Sequence, residues 1–389
     1  MYANIDVAIQ ALYVFIAFNL VCIAFIYAIK LRNIRRRRQN DRFQVKFKDY
    51  LTYVHASLNG VEPLRVPPWT MNEVEREAMQ ERLNDMVECF SGWQRQQLIR
   101  LCEDLGLVKH HLERFHHRSY PVKLDAAYHL GCMRVKEAMT GLLEMLKEHP
   151  LNSSLFVVAR AAAKCARNQQ DLGVIVQQLL RHDKKCYELV ADILADSELD
   201  TVSLYTEYVN HTNSAYIQIG LIGMNGYTDP AAASAVYRLM DSKHEDIQLK
   251  AVEVYLKSSR LLPRNVVSKL LSHSNLDIRR LTLEALGTLR NAAYVELMRA
   301  SLADADQRVV YTCAKGLLRM GQEGMAAVCE SAAAAQGTDR GDFMHRLIDE
   351  ELKHLSMQLH HLDKLTQYNT LMYTYDKIFR KPARMVRVV

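Results

Sequence analysis

The sequence predicts an all-α protein, an α-solenoid of stacked helix pairs that follows an N-terminal transmembrane helix. Three observations lead to this fold class. The 389 residues include only 15 Gly and 8 Pro, whereas a chain of many short strands needs frequent turn residues. An uncharged apolar run occupies residues 7–29. A pattern with a period of 31 residues begins near residue 121, and such a period is typical of helical repeats.

The uncharged run from Val7 to Ile29 predicts a transmembrane helix, and it is interrupted only by Gln10 and Asn19. A helix of these 23 residues, at about 1.5 Å per residue, is longer than a ~30 Å hydrocarbon core. A cleaved signal peptide would instead begin with a basic segment, and the only charged side chain before the run is Asp6. We therefore expect an anchor that is retained.

Basic residues after the apolar run indicate its orientation. Because positively charged flanks stay in the cytosol, residues 1–6 are expected outside a bacterial inner membrane and the rest of the chain in the cytosol. The eight cysteines lie far apart without a CxxC pair, which suits a reducing compartment. These basic residues are also expected to attract anionic lipid, and an arm that docks nucleic acid or protein is the alternative. The predicted topology signal comprises Lys30, Arg32, Arg35, Arg36, Arg37 and Arg38.

Residues 30–69 are predicted to form a basic juxtamembrane helix and a Pro-rich linker. Apolar residues recur at helical spacing between Asp41 and Leu58, which indicates an amphipathic helix. The stretch 61–69 contains three prolines, and proline inside a helix removes a backbone hydrogen bond. This stretch is therefore expected to be a linker or an extended strap.

Residues 70–120 are predicted to be degenerate N-terminal helical repeats, with three helices between residues 71 and 113. Two helix starts have the spacing of a capping box, in which a side chain and the backbone bond reciprocally. The predicted pairs are Thr70 with Glu73 and Ser91 with Gln94.

Residues 121–336 are predicted to be a series of seven helix pairs. Two sets of residues recur at intervals of 31: Ile247, Ile278 and Val309, and Ala251, Thr282 and Cys313. The pairs are expected to start near residues 121, 152, 186, 214, 245, 276 and 307. Because one such pair is too small to bury its own apolar face, the pairs have to stack in series.

Two of these repeats share a motif of small and apolar residues around a basic one. The motif reads Val122-Lys123 with Ala126-Ala127 and Leu130-Gly131, and Ile278-Arg279 with Ala285-Leu286-Gly287. It resembles the short HEAT repeats, a class also grouped with bilin-lyase-type repeats. The resemblance implies an α-solenoid whose repeats are tied together by an Asp and an Arg of each first helix. Asp277 and Arg279 fit this pattern, whereas Asp246 is followed by Gln248 in place of the Arg.

The repeat pattern ends after Gly337. Residues 337–379 are predicted to form C-terminal capping helices over the last open face of the solenoid, and residues 380–389 a basic tail. The apolar stripe of the cap comprises Phe343, Leu347, Ile348, Leu352, Leu355, Leu359, Leu362 and Leu365.

The motif search predicts that the chain is not an enzyme and binds no cofactor or metal. It contains no GxxxxGK(S/T), GxGxxG or GxSxG motif, so phosphate loops and serine-hydrolase elbows are unsupported. Some HEAT-like proteins are di-iron hydroxylases with several His-Glu pairs, but this chain has the one pair His244-Glu245. An enzyme or lyase that acts on a prosthetic group is an open alternative. Solvated helix faces are predicted for His110, His111, His116, His117 and His129, and for His360 and His361.

Basic charge is confined to the two ends of the chain. Residues 49–376 carry a formal net charge of about −6, whereas a solenoid that binds nucleic acid should itself be basic because phosphate neutralisation supplies most of such affinity. No nucleic-acid partner is therefore predicted, although a nucleic-acid tether is the second alternative. No small-molecule substrate is inferred.

A row of cations is the predicted partner-binding site. If second helices line the concave side, as the resemblance implies, Arg238, Lys269 and Arg299 recur at intervals of 31 and 30 residues on that side. Tyr237 and Tyr294 lie near them in sequence, and tyrosine offers amphipathic contact area at interfaces. The row predicts an acidic, elongated protein partner. The alternative is that exposed helical positions often carry Lys or Arg.

These patterns predict a membrane-anchored, cytosolic scaffold or regulatory subunit that binds another protein, such as a subunit of a membrane complex. The resemblance to membrane-tethered bacterial HEAT proteins implies that the complex synthesises exopolysaccharide through a membrane glycosyltransferase. Repeat solenoids perform unrelated tasks, so the residues themselves do not identify the partner.

Overall fold

The computed structural model describes residues 3–148, 153–181, 185–224, 230–259 and 261–379. These residues form twenty α-helices and three short 3-10 helices, and they contain no strand. The prediction of an all-α protein is therefore confirmed for this part of the chain. The predicted basic tail at 380–389 lies outside the described residues.

The chain divides into two compact units. The first contains the described residues of 1–183 together with 196–199, and the second contains those of 184–195 and 200–389. Each unit is built from helices that are consecutive in sequence and pack side by side, as expected for a helical-repeat protein.

The first helix, α1, runs without a break over the 55 residues Ala3–Ser57. It joins the predicted transmembrane helix and the predicted juxtamembrane helix into one element. The large apolar side chains described between Leu12 and Leu31 are exposed, with Phe25 at 67 %. Within the part of the chain that was described, no helix has an apolar stretch long enough to cross a membrane.

The carboxyl end of α1 packs against the Pro-rich segment 61–69, which is not helical, in agreement with its prediction. The rings of Phe47 and Trp69 are stacked with centroids 6.5 Å apart. The Tyr50 hydroxyl donates a hydrogen bond of 2.8 Å to the Arg65 carbonyl. The segment is thus a strap that is held along the end of α1.

Three helices follow the strap, as predicted: α2 at Glu73–Cys89, α3 at Gly92–Asp104 and α4 at Leu107–Phe115. The predicted capping box of Thr70 with Glu73 is wrong, because α2 begins two residues later. The Asn72 side chain accepts from the Glu75 backbone N–H at 2.9 Å, and the Glu75 carboxylate accepts from the Asn72 N–H at 3.1 Å. The capping box therefore exists, with Asn72 as its first residue.

The second predicted capping box is wrong as well. Ser91 is the N-cap residue of α3, but its side chain makes no capping hydrogen bond. The Gln94 side chain donates instead to Asn59 Oδ1 at 2.6 Å. Gln94 therefore contacts the end of α1 and does not close its own helix.

The seven predicted helix pairs follow, and each first helix starts within one residue of its predicted position. In the first unit the helices are α5 Tyr120–Cys132, α6 Met139–Glu148, α7 Ser153–Cys165 and α8 Gln169–Leu180. In the second unit they are α9 Tyr187–Ala195, α10 Val202–Val209, α11 Ser214–Gly223, α12 Pro230–Leu239, α13 Glu245–Ser258, α14 Arg264–Leu271, α15 Leu276–Leu289, α16 Val295–Arg299, α17 Gln307–Leu318 and α18 Gln322–Ala334. The 3-10 helices are Lys136–Ala138, Ala292–Tyr294 and Ala300–Ala303.

The residues that recur at intervals of 31 lie in the core. Ile278 and Val309 are 0 % exposed and Ile247 is 2 % exposed. Thr282 is also fully buried, and its hydroxyl donates to the Ile278 carbonyl at 2.8 Å, so the one polar residue of the set satisfies its hydrogen bond within its own helix. The sequence period thus marks the face that each first helix turns inward.

The C-terminal helices are α19, Asp339–Ser356, and α20, Leu362–Phe379, and both pack on α18. The predicted apolar stripe is buried at Leu347, Ile348 and Leu355. It is not buried beyond that point, since Leu359 is 38 % and Leu362 79 % exposed. The chain turns between the two helices, and α20 buries Leu371 and Thr374 instead.

Candidate functional site

The predicted row of cations is largely neutralised by carboxylates of neighbouring repeats. Lys269 Nζ lies 2.6 Å from Asp241 Oδ1, and Arg299 Nη1 lies 2.7 Å from Glu330 Oε2. Arg238 donates to Asn210 Oδ1 at 3.4 Å. Lys269 and Arg299, two of the three cations of the row, therefore already have a carboxylate partner within the protein.

The two tyrosines near this row differ in exposure. Tyr237 is 46 % exposed and its ring lies 6.0 Å from that of Tyr255. Tyr294 is only 4 % exposed. Its hydroxyl accepts from the Leu262 N–H at 3.0 Å and donates to the Leu262 carbonyl at 2.9 Å. The predicted contact role of Tyr294 is thus corrected: this side chain joins two repeats internally and offers no surface.

Arg279 links α15 to the loop that precedes the following repeat. Its Nε and Nη2 lie 2.9 and 3.2 Å from the two carboxylate oxygens of Asp304, and its Nη1 donates to the His273 carbonyl at 2.8 Å. The Asp277 carboxylate pairs with Arg280 of the same helix at 3.3 Å. The tie between repeats therefore runs through Arg279 and Asp304.

The predicted topology residues lie in the middle of α1. The helix passes through residues 30–38 without interruption, and Lys30 is exposed. The side chains of Arg32 and of residues 35–38 are outside those that the structure describes.

A groove on the second unit lies on the side of the first helices and not of the second helices. It encloses about 850 Å³, and it is formed by α15, α17, α19 and α20. The groove is lined by Glu284, Gly287, Thr288, Arg290, Tyr311, Thr312, Lys315, Gly316, Arg319, Glu350, Glu351, His354, Lys364 and Gln367.

Two glycines in the groove let α15 and α17 approach backbone to backbone. A Cβ atom on Gly287 would lie 2.8 Å from Gly316 Cα, a distance at which side chains cannot be accommodated. Beside this contact Tyr311 is 45 % exposed, and Lys315 Nζ lies 6.0 Å from the centre of its ring. The groove therefore combines a close backbone contact between two buried glycines with an exposed aromatic side chain.

The basic side chains that line the groove differ in whether they form an ion pair among the described residues. Lys315 is paired with Glu351 at 3.4 Å. Arg290 and Arg319 are both exposed at the ends of α15 and α17, and neither has an ion pair among the described residues. Arg290 also has a left-handed backbone with φ of 50°, which turns the chain at the end of α15. Two guanidinium groups are thus available to an acidic ligand.

A cleft in the first unit lies between α2, α4 and α5 and encloses about 360 Å³. It contains three of the histidines that were predicted to form a solvated helix face. That prediction is corrected for His111, which is only 2 % exposed, while His116 and His117 are exposed. The lining consists of Glu73, Arg76, Glu77, Gln80, Glu81, His110, His111, Arg114, Asp125 and His129.

Burial lowers the pKa of the two inner histidines of the cleft. Burial, followed by the nearby His129, His110 and Arg114, lowers the pKa of His111 to about 3. Burial also lowers the pKa of His129, although the Asp125 carboxylate acts in the opposite direction. Within the described residues, no group of three or more His, Cys, Asp or Glu side chains is placed to hold a metal ion.

No family model and no curated protein matches this sequence. Among solved structures, the chain is similar to an engineered protein, with a TM-score of 0.35 at 15 % identity over 79 % of this chain and 97 % of the other. It is also similar to human deoxyhypusine hydroxylase, with a TM-score of 0.27 at 14 % identity over 71 % and 98 %. A third similarity is to the complex of CpcE and CpcF of phycocyanin lyase from Nostoc, with a TM-score of 0.25 at 18 % identity over 62 % and 94 %. All are distant, and no activity is carried over from them.

Proposed function

We propose that this chain is a membrane-anchored, non-catalytic scaffold or regulatory subunit that binds another protein through the groove of its second unit. The observation that carries the proposal is the pair Arg290 and Arg319, two exposed guanidinium groups without an ion pair in the described part of the chain. They line the same groove as the close backbone contact of the buried residues Gly287 and Gly316. An extended acidic segment of a partner fits such a groove, since carboxylates bond guanidinium groups in bidentate fashion.

The proposed anchor is α1. Counted on the full sequence, and thus including side chains at 7–11 and 14 that lie outside the described ones, its uncharged run from Val7 to Ile29 has the length that a spanning helix needs. Phe15, Phe18 and Phe25 are each more than half exposed, and exposed apolar surface of this extent favours burial in lipid or against another helix. Because α1 continues unbroken to Ser57, and a helix rises about 1.5 Å per residue, an inserted α1 would hold its carboxyl end, where the strap packs, roughly 40 Å beyond Ile29.

The orientation that we propose places both units in the cytosol. It rests on the basic residues that follow the apolar run, of which Lys30 is the first. The resemblance to membrane-tethered HEAT proteins makes a membrane glycosyltransferase of exopolysaccharide synthesis the first candidate partner to examine.

Co-purification from detergent-solubilised membranes, followed by mass spectrometry, tests the proposal. The tagged full-length chain is compared with a double variant, Arg290→Glu with Arg319→Glu. We expect the wild-type chain to retain a specific partner and the variant to lose most of it, because four units of charge change in the groove. The association should also weaken with salt, as it does for electrostatically guided complexes.

A matched control is Lys243→Glu with Lys377→Glu. Both lysines are exposed residues of the second unit and neither lines the groove. This variant has the same change in net charge and should retain the partner. Equal retention of the partner by the groove variant would reject the groove, and the absence of any specific partner from the wild-type chain would reject the scaffold role itself.

A further inference from the structure

A second hollow on the second unit lies between α9, α11 and α13 and encloses about 560 Å³. Three large aliphatic side chains line it, and each is partly exposed: Leu189, Ile222 and Leu249. Glu253 belongs to the same lining, and its carboxylate is already paired with Lys250 at 2.9 Å. This hollow, called the aliphatic recess below, therefore offers apolar contact area to a ligand.

The repeat register places the aliphatic recess and the groove on one face of the second unit. Ile222, Glu253, Glu284 and Lys315 follow one another at intervals of 31 residues on α11, α13, α15 and α17. The first two line the recess, and the last two line the groove. Each of these helices packs on the next, and equivalent positions of stacked repeats point in the same direction. The recess and the groove are thus two parts of one surface across four consecutive first helices.

The two ends of this surface differ because the charges between them are paired within the protein. The Arg280 guanidinium lies 3.3 Å from the Asp277 carboxylate and 3.7 Å from that of Glu284. At the groove end, Arg290 and Arg319 have no ion pair among the described residues. A partner segment would therefore meet neutralised charge in the middle of the surface and two guanidinium groups at the groove end.

The recess end does not attract acidic residues. Apart from the pair of Lys250 with Glu253, its charged lining residues are Glu188 and Asp246 against Lys185, and all three are exposed. A carboxylate of a partner would meet more negative than positive charge here, and like charges disfavour association. The recess end therefore favours an aliphatic residue, and the groove end favours an acidic one.

The distance between the two ends sets the spacing of these residues in a partner. From α11 and α13 to α15 and α17 is a step of two helices, or about 16–20 Å at ordinary packing distances. Arg319 lies four residues beyond Lys315, which adds about 6 Å along the helix axis. The two ends are thus about 20 Å apart, and an extended chain that rises about 3.3 Å per residue covers this distance in about six residues.

We propose that the partner segment is extended and has two parts, a large aliphatic residue that packs in the recess of Leu189, Ile222 and Leu249 and a pair of acidic residues, about six positions away, that binds Arg290 and Arg319. An α-helix would need about thirteen residues for the same distance. The proposal rests on the proposed function, because the acidic part of the segment occupies the groove.

Fluorescence anisotropy of labelled peptides, titrated with the full-length chain in detergent, tests the proposal. Each peptide carries two adjacent leucines and two adjacent glutamates in a serine chain, and it is made in both chain directions. The nearer leucine and glutamate are either three or six positions apart, and three positions reach at most about 11 Å. We expect the six-position peptide, in one of its directions, to bind at least about tenfold more tightly, because only this peptide can occupy both ends at once. Empty micelles are the blank.

The variant Leu249→Gln tests the recess. Glutamine is compatible with this position, since Gln218 occupies the equivalent one of the preceding repeat. The six-position peptide should bind this variant about tenfold more weakly, because apolar contact area is lost. Leu271→Gln is the matched control and should leave the affinity unchanged, since Leu271 is a partly exposed residue of α14 that lines neither the recess nor the groove.

The outcomes separate this proposal from the proposed function. Equal affinities of the three-position and six-position peptides overturn the two-part segment, and so does an unchanged affinity of Leu249→Gln. If binding is nevertheless lost in Arg290→Glu with Arg319→Glu, the groove stands and the recess alone is rejected. If that double variant keeps the wild-type affinity, the groove is rejected and this proposal with it. The absence of saturable binding by every peptide also overturns the proposal.

Discussion

Arg279 and Asp304 form a bidentate ion pair that links α15 to the loop before α17, with distances of 2.9 and 3.2 Å. Their side chains are 17 % and 15 % exposed. The same arginine donates to the carbonyl of His273 at the start of its repeat. Arg279 thus joins the loop before α15 to the loop before α17. Because both charged groups are nearly buried, removal of either one would leave the other without a compensating charge.

Replacement of Arg279 by Ala should lower the free energy of unfolding by about 3 kcal/mol, because Asp304 keeps its charge in a largely buried position. Chemical denaturation of the full-length chain measures this change. Arg280→Ala is the matched control, since Arg280 pairs with Asp277 at the surface, and exposed pairs contribute roughly 0–1 kcal/mol. Equal losses for the two variants would contradict the structural role of Arg279.

The close contact of Gly287 with Gly316 makes a second prediction. Gly287→Ala should destabilise the chain, because the new Cβ would lie 2.8 Å from the Gly316 backbone, and overpacking of this kind costs about 1–3 kcal/mol. Gly173→Ala should instead stabilise it by up to about 1 kcal/mol, since Gly173 lies inside α8 with nothing within 4 Å of its added Cβ. Melting temperatures of the two variants should move in opposite directions, and a shared direction would contradict this packing.

The period of the sequence predicted the repeat core because core positions repeat with the repeat itself. Ile278 and Thr282 could be identified as buried residues by this rule alone, and the starts of the first helices followed from it. Ion pairs between repeats could not be predicted in the same way. Asp241 and Lys269 are 28 residues apart, which is not the sequence period, so their pairing depends on how far each helix pair is rotated against the next.

The histidine cleft shows a second limit of sequence reasoning. Adjacent residues on a helix point in different directions, so the pair His110-His111 does not itself indicate which ring faces inward. That choice depends on the packing of α2 against α4, which buries Gln80 beside His111. Gln80 carries no signal of its own in the sequence, and the buried hydrogen bond was therefore missed.

Buried, neutral His111 predicts that acid destabilises the first unit. Its pKa is lowered to about 3 in the folded chain, against about 6.5 in an unfolded chain. As the pH falls below about 6.5, the unfolded state takes up a proton that the folded state does not. The free energy of unfolding should therefore fall by about 2 kcal/mol between pH 7 and pH 5 from this group alone.

Urea denaturation at both pH values measures this loss, with His111→Asn as the test variant. The free energy of unfolding of that variant should therefore fall less between pH 7 and pH 5 than that of the wild-type chain. His116→Asn, at an exposed position of the same region, should keep the wild-type dependence. An unchanged pH dependence in His111→Asn would show that the pKa of His111 is the same in the folded and the unfolded chain, contrary to its burial.

The proposed topology is tested by a reporter fused after Val389. We expect it to be read in the cytosol, because six basic residues lie at positions 30–38 and no basic side chain precedes the apolar run. Replacement of the four arginines at 35–38 by Asn should weaken this orientation. A periplasmic signal from the unmodified fusion would reverse the proposed location and remove the argument from the widely spaced cysteines.

The row of cations and the two groove arginines of the second unit are expected to contribute differently to partner binding. In the row, Lys269 and Arg299 already have carboxylate partners at 2.6 and 2.7 Å, so an acidic partner would have to displace them. In the groove, Arg290 and Arg319 have no such competitor among the described residues. We therefore expect the reversal of Arg290 and Arg319 to slow association and to reduce its salt dependence.

The reversal of the row, Arg238→Glu with Lys269→Glu and Arg299→Glu, should act mainly on stability. It sets new carboxylates beside Asp241 and Glu330, and because these sites are exposed, each change should cost roughly 0.5 kcal/mol. Association rates measured at two salt concentrations, together with melting temperatures, separate the two effects. If the row variant loses the partner at an unchanged melting temperature while the groove variant keeps it, the row is the binding surface, and the charge pairs that now cover it must open when the partner arrives.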